Sequence, residues 1–157
     1  MSQTVRPDAG PTTAELYVEV QQFYAHQMPL LEDGRIEEFV LTFTEDGTFE
    51  HAPDGWRLEG REQLVTAMRA NIPRYGGSIF RHWFDKLRVE AVAPDTLKTS
   101  FAALVSVTDA EGKVTFEPTS TVSDVLVRED GVLHTRARVV GHDIPNPARF
   151  WGGVLED

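Results

Sequence analysis

Apolar side chains recur at three- and four-residue steps through Leu16, Val20, Phe23, Tyr24, Met28 and Leu31, with Gln27 on the same stripe. That spacing predicts an amphipathic helix over 13–31, and Thr12 with Glu15 has the separation of a capping box at its start. Asp33-Gly34 breaks the pattern, and Ile36, Phe39, Val40 and Phe43 predict a short second helix. Glu45-Asp46-Gly47 reads as a turn into a short strand over 48–51, and Pro53, Asp54 and Gly55 as a loop ending near Gly60. Leu64, Val65 and Met68 then define a third helix over 62–71, closed by Ile72-Pro73 and Gly76-Gly77. From there the period changes to two. The segments 79–92, 97–108, 114–127 and 132–142 are rich in Val, Thr, Phe and Leu, and turn-forming sequences at Ala93-Pro94-Asp95, Asp109-Ala110-Glu111-Gly112 and Glu129-Asp130-Gly131 separate them. Three helices ahead of a four-strand antiparallel meander predict an α+β fold, with the helices on one face of a strongly curved, mostly antiparallel sheet forming a cone. The space between sheet and helices is the expected pocket.

The chain's 157 residues argue for one domain, expected over 12–144, with a loose tail at 1–11 and a C-terminal tail at 145–157. Phe150 and Trp151 in that second tail suit a lid or a dimer contact. Fifteen Lys and Arg against 25 Asp and Glu give a net charge of −10. With its basic residues dispersed, such a chain is a poor partner for nucleic acid or an anionic membrane. No Cys is present, which excludes a disulfide framework, thiolate metal sites and a cysteine nucleophile, and fits a cytoplasmic location. The sequence holds no glycine-rich nucleotide loop, no Gly-x-Ser-x-Gly elbow and no short-spaced histidine pair of the metal-binding kind, so neither cofactor nor metal is expected.

The order of elements, together with Phe23-Tyr24-Ala25-His26-Gln27-Met28, Leu31-Glu32-Asp33-Gly34 and Phe43-Thr44-Glu45-Asp46-Gly47-Thr48-Phe49, resembles the nuclear transport factor 2-like superfamily. Within it the segment is most similar to the SnoaL-like branch, which serves aromatic polyketide pathways and includes cyclase and dehydratase-type proteins of the actinorhodin kind. The resemblance implies an apolar pocket, a polycyclic keto substrate, no cofactor and a homodimer paired through the open sheet face, to which the hydroxyl-rich segment 114–127 would contribute. The same superfamily contains ketosteroid isomerase, scytalone dehydratase, dioxygenase small subunits and non-catalytic binding modules, so the fold does not choose the chemistry.

His82 shares a strand face with Phe80 and Phe84, and an imidazole among aromatics is a versatile acid or base. By resemblance it matches the catalytic histidine of scytalone dehydratase-like members; the helix aspartate of those members has no counterpart among residues 27–31. His51 shares a face with Phe49 and matches the position of the ketosteroid isomerase-like aspartate base. Gln27 falls where those members carry an oxyanion-binding tyrosine, and Tyr24 lies one turn earlier. His82, His51 and Tyr24 are therefore the catalytic candidates; Gln27, Phe49, Trp56, Phe80, Phe84, Phe101 and Arg138 are the candidates for binding substrate, with Trp56 on a capping loop. Each has a plainer reading as core, rim or surface. Arg138 in particular, expected on one face with Arg136, His134 and His142, either forks onto a phenolate or carboxylate or pairs with Asp124. Ser120 and Asp124 share a face that could line the pocket or lie half-exposed. These residues point to acid–base cyclisation, dehydration or isomerisation; a non-catalytic binding module or a dioxygenase small-subunit-like partner is the alternative.

Overall fold

A computed structural model of the chain describes residues 11–52, 55–71 and 76–143. The expected tails therefore lie, apart from Pro11, outside the described residues. Helix α1 spans Thr13–Glu32 and begins with the expected box, in which Thr12 Oγ1 accepts the Glu15 N–H while the Glu15 carboxylate accepts the Thr12 N–H. It runs through Pro29, which has no N–H to give the carbonyl of Ala25. Helix α2 is Ile36–Leu41 and α3 is Arg61–Asn71.

Seven strands follow the path β2-β1-β7-β6-β4-β3, with β5 pairing only with β4. They are β1 Phe43–Ala52, β2 Trp56–Glu59, β3 Ile79–Ala93, β4 Thr96–Thr108, β5 Val114–Phe116, β6 Ser120–Glu129 and β7 Val132–His142. The sheet is curved and not closed, with β2 and β3 as its edges. Its strands alternate as a half-buried sheet must: in β4, Leu97, Thr99, Phe101 and Ala103 are inside.

The sheet is mostly antiparallel, as expected, with one parallel pair, β1 on β7. Three expectations about the strands need correction. The strand expected at 48–51 begins at Phe43, and the residues read as a turn form a bulge within it, between the Phe43–Thr135 and Thr48–Ala137 pairs. Gly47 is needed in this bulge: a Cβ there would stand 3.0 Å from the Thr44 carbonyl oxygen and 3.3 Å from that of Thr135. The loop expected to carry Trp56 is partly strand β2, set antiparallel on β1 with His51 opposite Trp56. Finally, the segment read as one strand over 114–127 is divided into β5 and β6 around Glu117, Pro118 and Thr119, where proline cannot donate to a ladder.

The core has two parts. Beneath α1, Leu16, Val20 and Tyr24 pack on Phe101, Val122 and Leu126. Met28 and Leu30 join Phe39, Phe43, Phe49 and Leu64 in the second, between α2, α3 and β1. Phe84 from β3 and Val140 from β7 pack against both parts.

Candidate functional site

Glu32 ends α1 where the helix passes β3. Its Oε1 accepts the backbone N–H of His82 at 2.6 Å and lies 3.3 Å from the His82 Nδ1, while Oε2 accepts from Arg81 Nη1 at 3.0 Å. Burial alone would raise the Glu32 carboxyl, but the His82 ring, the His82 backbone and the Arg81 guanidinium together hold it below the usual carboxylate range. An ionised carboxylate can only accept, so Nδ1 is the nitrogen of His82 that carries hydrogen toward it, and Nε2 is left as the basic nitrogen. Around this pair lies a cavity of about 250 Å³ between α1 and β3, lined by Tyr24, Met28, Glu32, His82, Trp83 and Phe84 among others. Phe80 and Phe84 flank the His82 ring at 5.9 and 6.5 Å between centroids, in the shared-face arrangement expected of the strand. The sequence reading missed Glu32 because it sought a carboxylate at 27–31, one residue short.

Tyr24, Gln27 and Arg138 belong to a buried polar network. The Tyr24 hydroxyl donates to Asp124 Oδ2 at 2.8 Å, so the 2.6 Å bond with Thr99 must be donated by the Thr99 hydroxyl. Arg138 forks onto Asp124, with Nε at 2.9 Å from Oδ1 and Nη2 at 2.6 Å from Oδ2. Nη2 also donates to Gln27 Oε1 at 2.7 Å, which fixes the Gln27 amide so that its nitrogen donates to Thr42 and Thr135 at 2.7 and 3.1 Å. Burial opposes the charge on Arg138, but the Asp124 carboxylate outweighs it and raises the guanidinium pKa further. Burial, and then the charge of Asp124, push the Tyr24 phenol well above its ordinary value. Of the two readings of Arg138, the pair with Asp124 is the one present. The phenol proton of Tyr24 and the amide of Gln27 are taken up within the network, although the Tyr24 ring borders the cavity.

A bulge makes this network possible. Val125 pairs with Ala137 and Leu126 with Thr135, so Arg136 is an extra residue in β7. Thr135 and Arg138 consequently both point inward while Arg136 is exposed, which corrects the expectation that Arg136 and Arg138 share a face. Strict alternation cannot show such a slip.

His51 lies on the β1 side of the same concave face. Its ring stacks on Phe49 at 5.3 Å, meets the edge of Trp56 at 5.3 Å, and its Nδ1 is 3.1 Å from Nε2 of His142. The ladders set Phe84, Ala103, Ser120 and His142 in one row across the sheet, and His82 stands two residues from Phe84 on that face. Both candidate histidines thus belong to one end of the inner surface, on its two opposite arms, although His51 does not line the 250 Å³ cavity. Phe101 is core, 4.4 Å from the Phe84 ring and 4.9 Å from that of Tyr24. A larger hollow of about 670 Å³ lies on the outer sheet face between Arg88, Lys98, Ser123, Val125 and Val139 and includes no histidine. Among the described residues no three His or acidic side chains gather as metal ligands, and no helix is long and apolar enough to cross a membrane.

Residues 12–139 match the model of the SnoaL-like domain, and the chain belongs to that family. Aln2 from a Streptomyces species is 43% identical, with 85% of this chain and 94% of that one covered at a TM-score of 0.80. ActVI-ORFA from Streptomyces coelicolor is 34% identical over 82% of this chain and 97% of its own, at 0.76. A Catenulispora acidiphila protein solved in complex with S-DNPA is 39% identical over 83% and 95%, at 0.73. An NTF2-like protein with a cystatin-like fold from Novosphingobium aromaticivorans, 17% identical over 90% of this chain and 89% of its own at 0.69, shares the fold alone. No curated protein matches.

Proposed function

We propose that the protein is a cofactor-independent acid–base enzyme acting in the cytoplasm on an aromatic or polycyclic ketone of polyketide type, which it cyclises, dehydrates or isomerises. The observation that carries this is the His82–Glu32 pair on the wall of a cavity. All three reactions can begin with removal of a proton next to a carbonyl. His82 Nε2 takes that proton, Glu32 stabilises the resulting imidazolium through Nδ1–H, and the aromatic side chains Phe80 and Phe84 receive the flat substrate. At about 250 Å³ the cavity is slightly below the ~300–1,000 Å³ usual for small-molecule sites, so it holds the reacting ring while further rings extend toward the open end of the cone. Tyr24 borders the cavity and is held rigid by the network with Gln27 and Arg138, while His51 with Phe49 and Trp56 stands outside it on the β1 arm. The complex of the Catenulispora relative with S-DNPA supports a small-molecule ligand in this fold.

The test is exchange. With an aromatic ketone bearing an enolisable proton in deuterium oxide, the protein should accelerate loss of that proton, and His82→Gln should lower the rate about 100-fold or more.

The alternative, a binding or assembly module, is favoured by the outer sheet face, where Trp83 is 59% and Phe116 65% exposed. We take these residues as the contact of a homodimer. Sedimentation should show a dimer that Trp83→Glu weakens, and a ligand bound without any proton exchange would favour the module.

A further inference from the structure

The α1 residues that line the cavity fall into two stripes at four-residue steps. Tyr24, Met28 and Glu32 form the inner stripe, and Gln21, Ala25 and Pro29 form an exposed lip. Side-chain polar groups on this wall are engaged with the protein. The Tyr24 hydroxyl donates to Asp124, the Glu32 carboxylate accepts from His82 and Arg81, and Gln21 Nε2 donates to the Tyr17 hydroxyl. The main chain differs at one point. Each carbonyl of an α-helix takes the N–H four residues on, so Met28 covers the Tyr24 carbonyl and Glu32 that of Met28, while Asp33 covers that of Pro29 at 2.9 Å. Pro29 lies inside α1 and has no N–H, so the Ala25 carbonyl lacks the donor its neighbours have. A helical carbonyl projects toward the residue four places on, and both Ala25 and Pro29 border the cavity. The proline ring also crowds that carbonyl, which turns it away from the helix axis.

We infer that Pro29 frees the Ala25 carbonyl to act as a hydrogen-bond acceptor on the lip of the cavity, and that the substrate presents a ring hydroxyl to it. The inference rests on the acid–base reading of the cavity and narrows its substrate class to hydroxylated aromatic ketones, with the enolisable carbon at His82 and the hydroxyl at the α1 lip. A carbonyl oxygen has lone pairs and no proton, so it accepts from a hydroxyl and gains nothing from an unsubstituted ring position. The helix holds this acceptor in place, so no side chain has to be ordered when the ligand binds. Proline is the least favourable residue in a helix interior, and its place in α1 coincides with the one stretch of the helix where an uncovered carbonyl faces a cavity. Pro29 is thus a specificity-determining residue, and it takes no part in moving the proton.

The probes are α-tetralone, an enolisable aromatic ketone, and its derivatives hydroxylated at each aromatic position except the one beside the carbonyl, where an internal hydrogen bond would hold the proton. Calorimetry with the intact protein, at a mildly acidic pH that keeps the phenols protonated, gives their dissociation constants. At least one derivative should bind about fivefold more tightly than α-tetralone, the size of one net hydrogen bond. Pro29→Ala should abolish that advantage while leaving α-tetralone itself within about twofold, because the new N–H covers the carbonyl and touches nothing else. The variant replaces proline by a better helix former and so keeps the fold, and its new amide at position 29 should be protected from solvent exchange by the Ala25 carbonyl. No advantage for any derivative, an advantage that survives Pro29→Ala, or an unprotected amide at position 29 would each overturn the inference. Deuterium exchange of the same ketones tests the acid–base reading separately: no exchange by the unaltered protein overturns that reading and leaves the hydroxyl preference standing, whereas exchange without a hydroxyl preference overturns this inference alone.

Discussion

Glu32 Oε1 accepts the backbone N–H of His82 at 2.6 Å while lying 3.3 Å from the Nδ1 of the same residue, so one carboxylate oxygen fixes both the strand and the ring. The end of α1 and the first part of β3 are joined at the point where chemistry is proposed. Replacing Glu32 by Gln keeps the shape and removes the charge that stabilises an imidazolium. Turnover should fall about 10–1,000-fold with little change in ligand affinity, as measured by kcat against KM.

The same pair makes a pH prediction. The folded-state pKa of Glu32 is lowered, so its contribution to stability is complete above the ordinary carboxylate range and is lost as the pH falls through the folded value. Denaturant midpoints measured from pH 7 downward should therefore decline in the acid range, and Glu32→Gln should flatten that decline.

Asp124 and Arg138 form a fully enclosed ion pair, with side chains 0% and 4% exposed. Asp124→Ala leaves the guanidinium uncompensated and should destabilise the protein by about 3–5 kcal/mol in urea unfolding. The double change Asp124→Leu with Arg138→Met should recover most of that loss, because an apolar pair escapes the desolvation cost.

Tyr24→Phe separates floor from catalyst. Removing the hydroxyl leaves Asp124 short of one donor and should cost about 1–3 kcal/mol of stability. Turnover should change less than about tenfold, whereas the loss of a direct oxyanion donor would lower it about 100–1,000-fold.

Much of the fold is legible from periodicity, since α1, α3 and β4 follow patterns that repeat over many residues. The failures share one cause: local irregularities carry no periodic signal. Trp56–Glu59 is only four residues long and becomes a strand because β1 lies beside it. The Arg136 bulge inverts the side-chain alternation in mid-strand, and only the ladder with β6 reveals it. The site divides in the same way. His82 is visible as a histidine among aromatics, but Glu32 belongs to the end of a helix 50 residues away, and the Asp124–Arg138 pair depends on the bulge. Glu32 meets His82 only through the tertiary packing of the α1 C-terminus on β3, and the sequence contains no local mark of that contact.

The central claim is that His82 moves a proton on a ketone in the α1–β3 cavity. Deuterium incorporation next to the carbonyl of an aromatic polyketide-type ketone, followed by NMR with the unaltered protein and with His82→Gln, tests it most directly. Rapid exchange that falls about 100-fold or more in the variant is the predicted result. Equal exchange by both proteins, or ligand binding with no exchange by either, would contradict it.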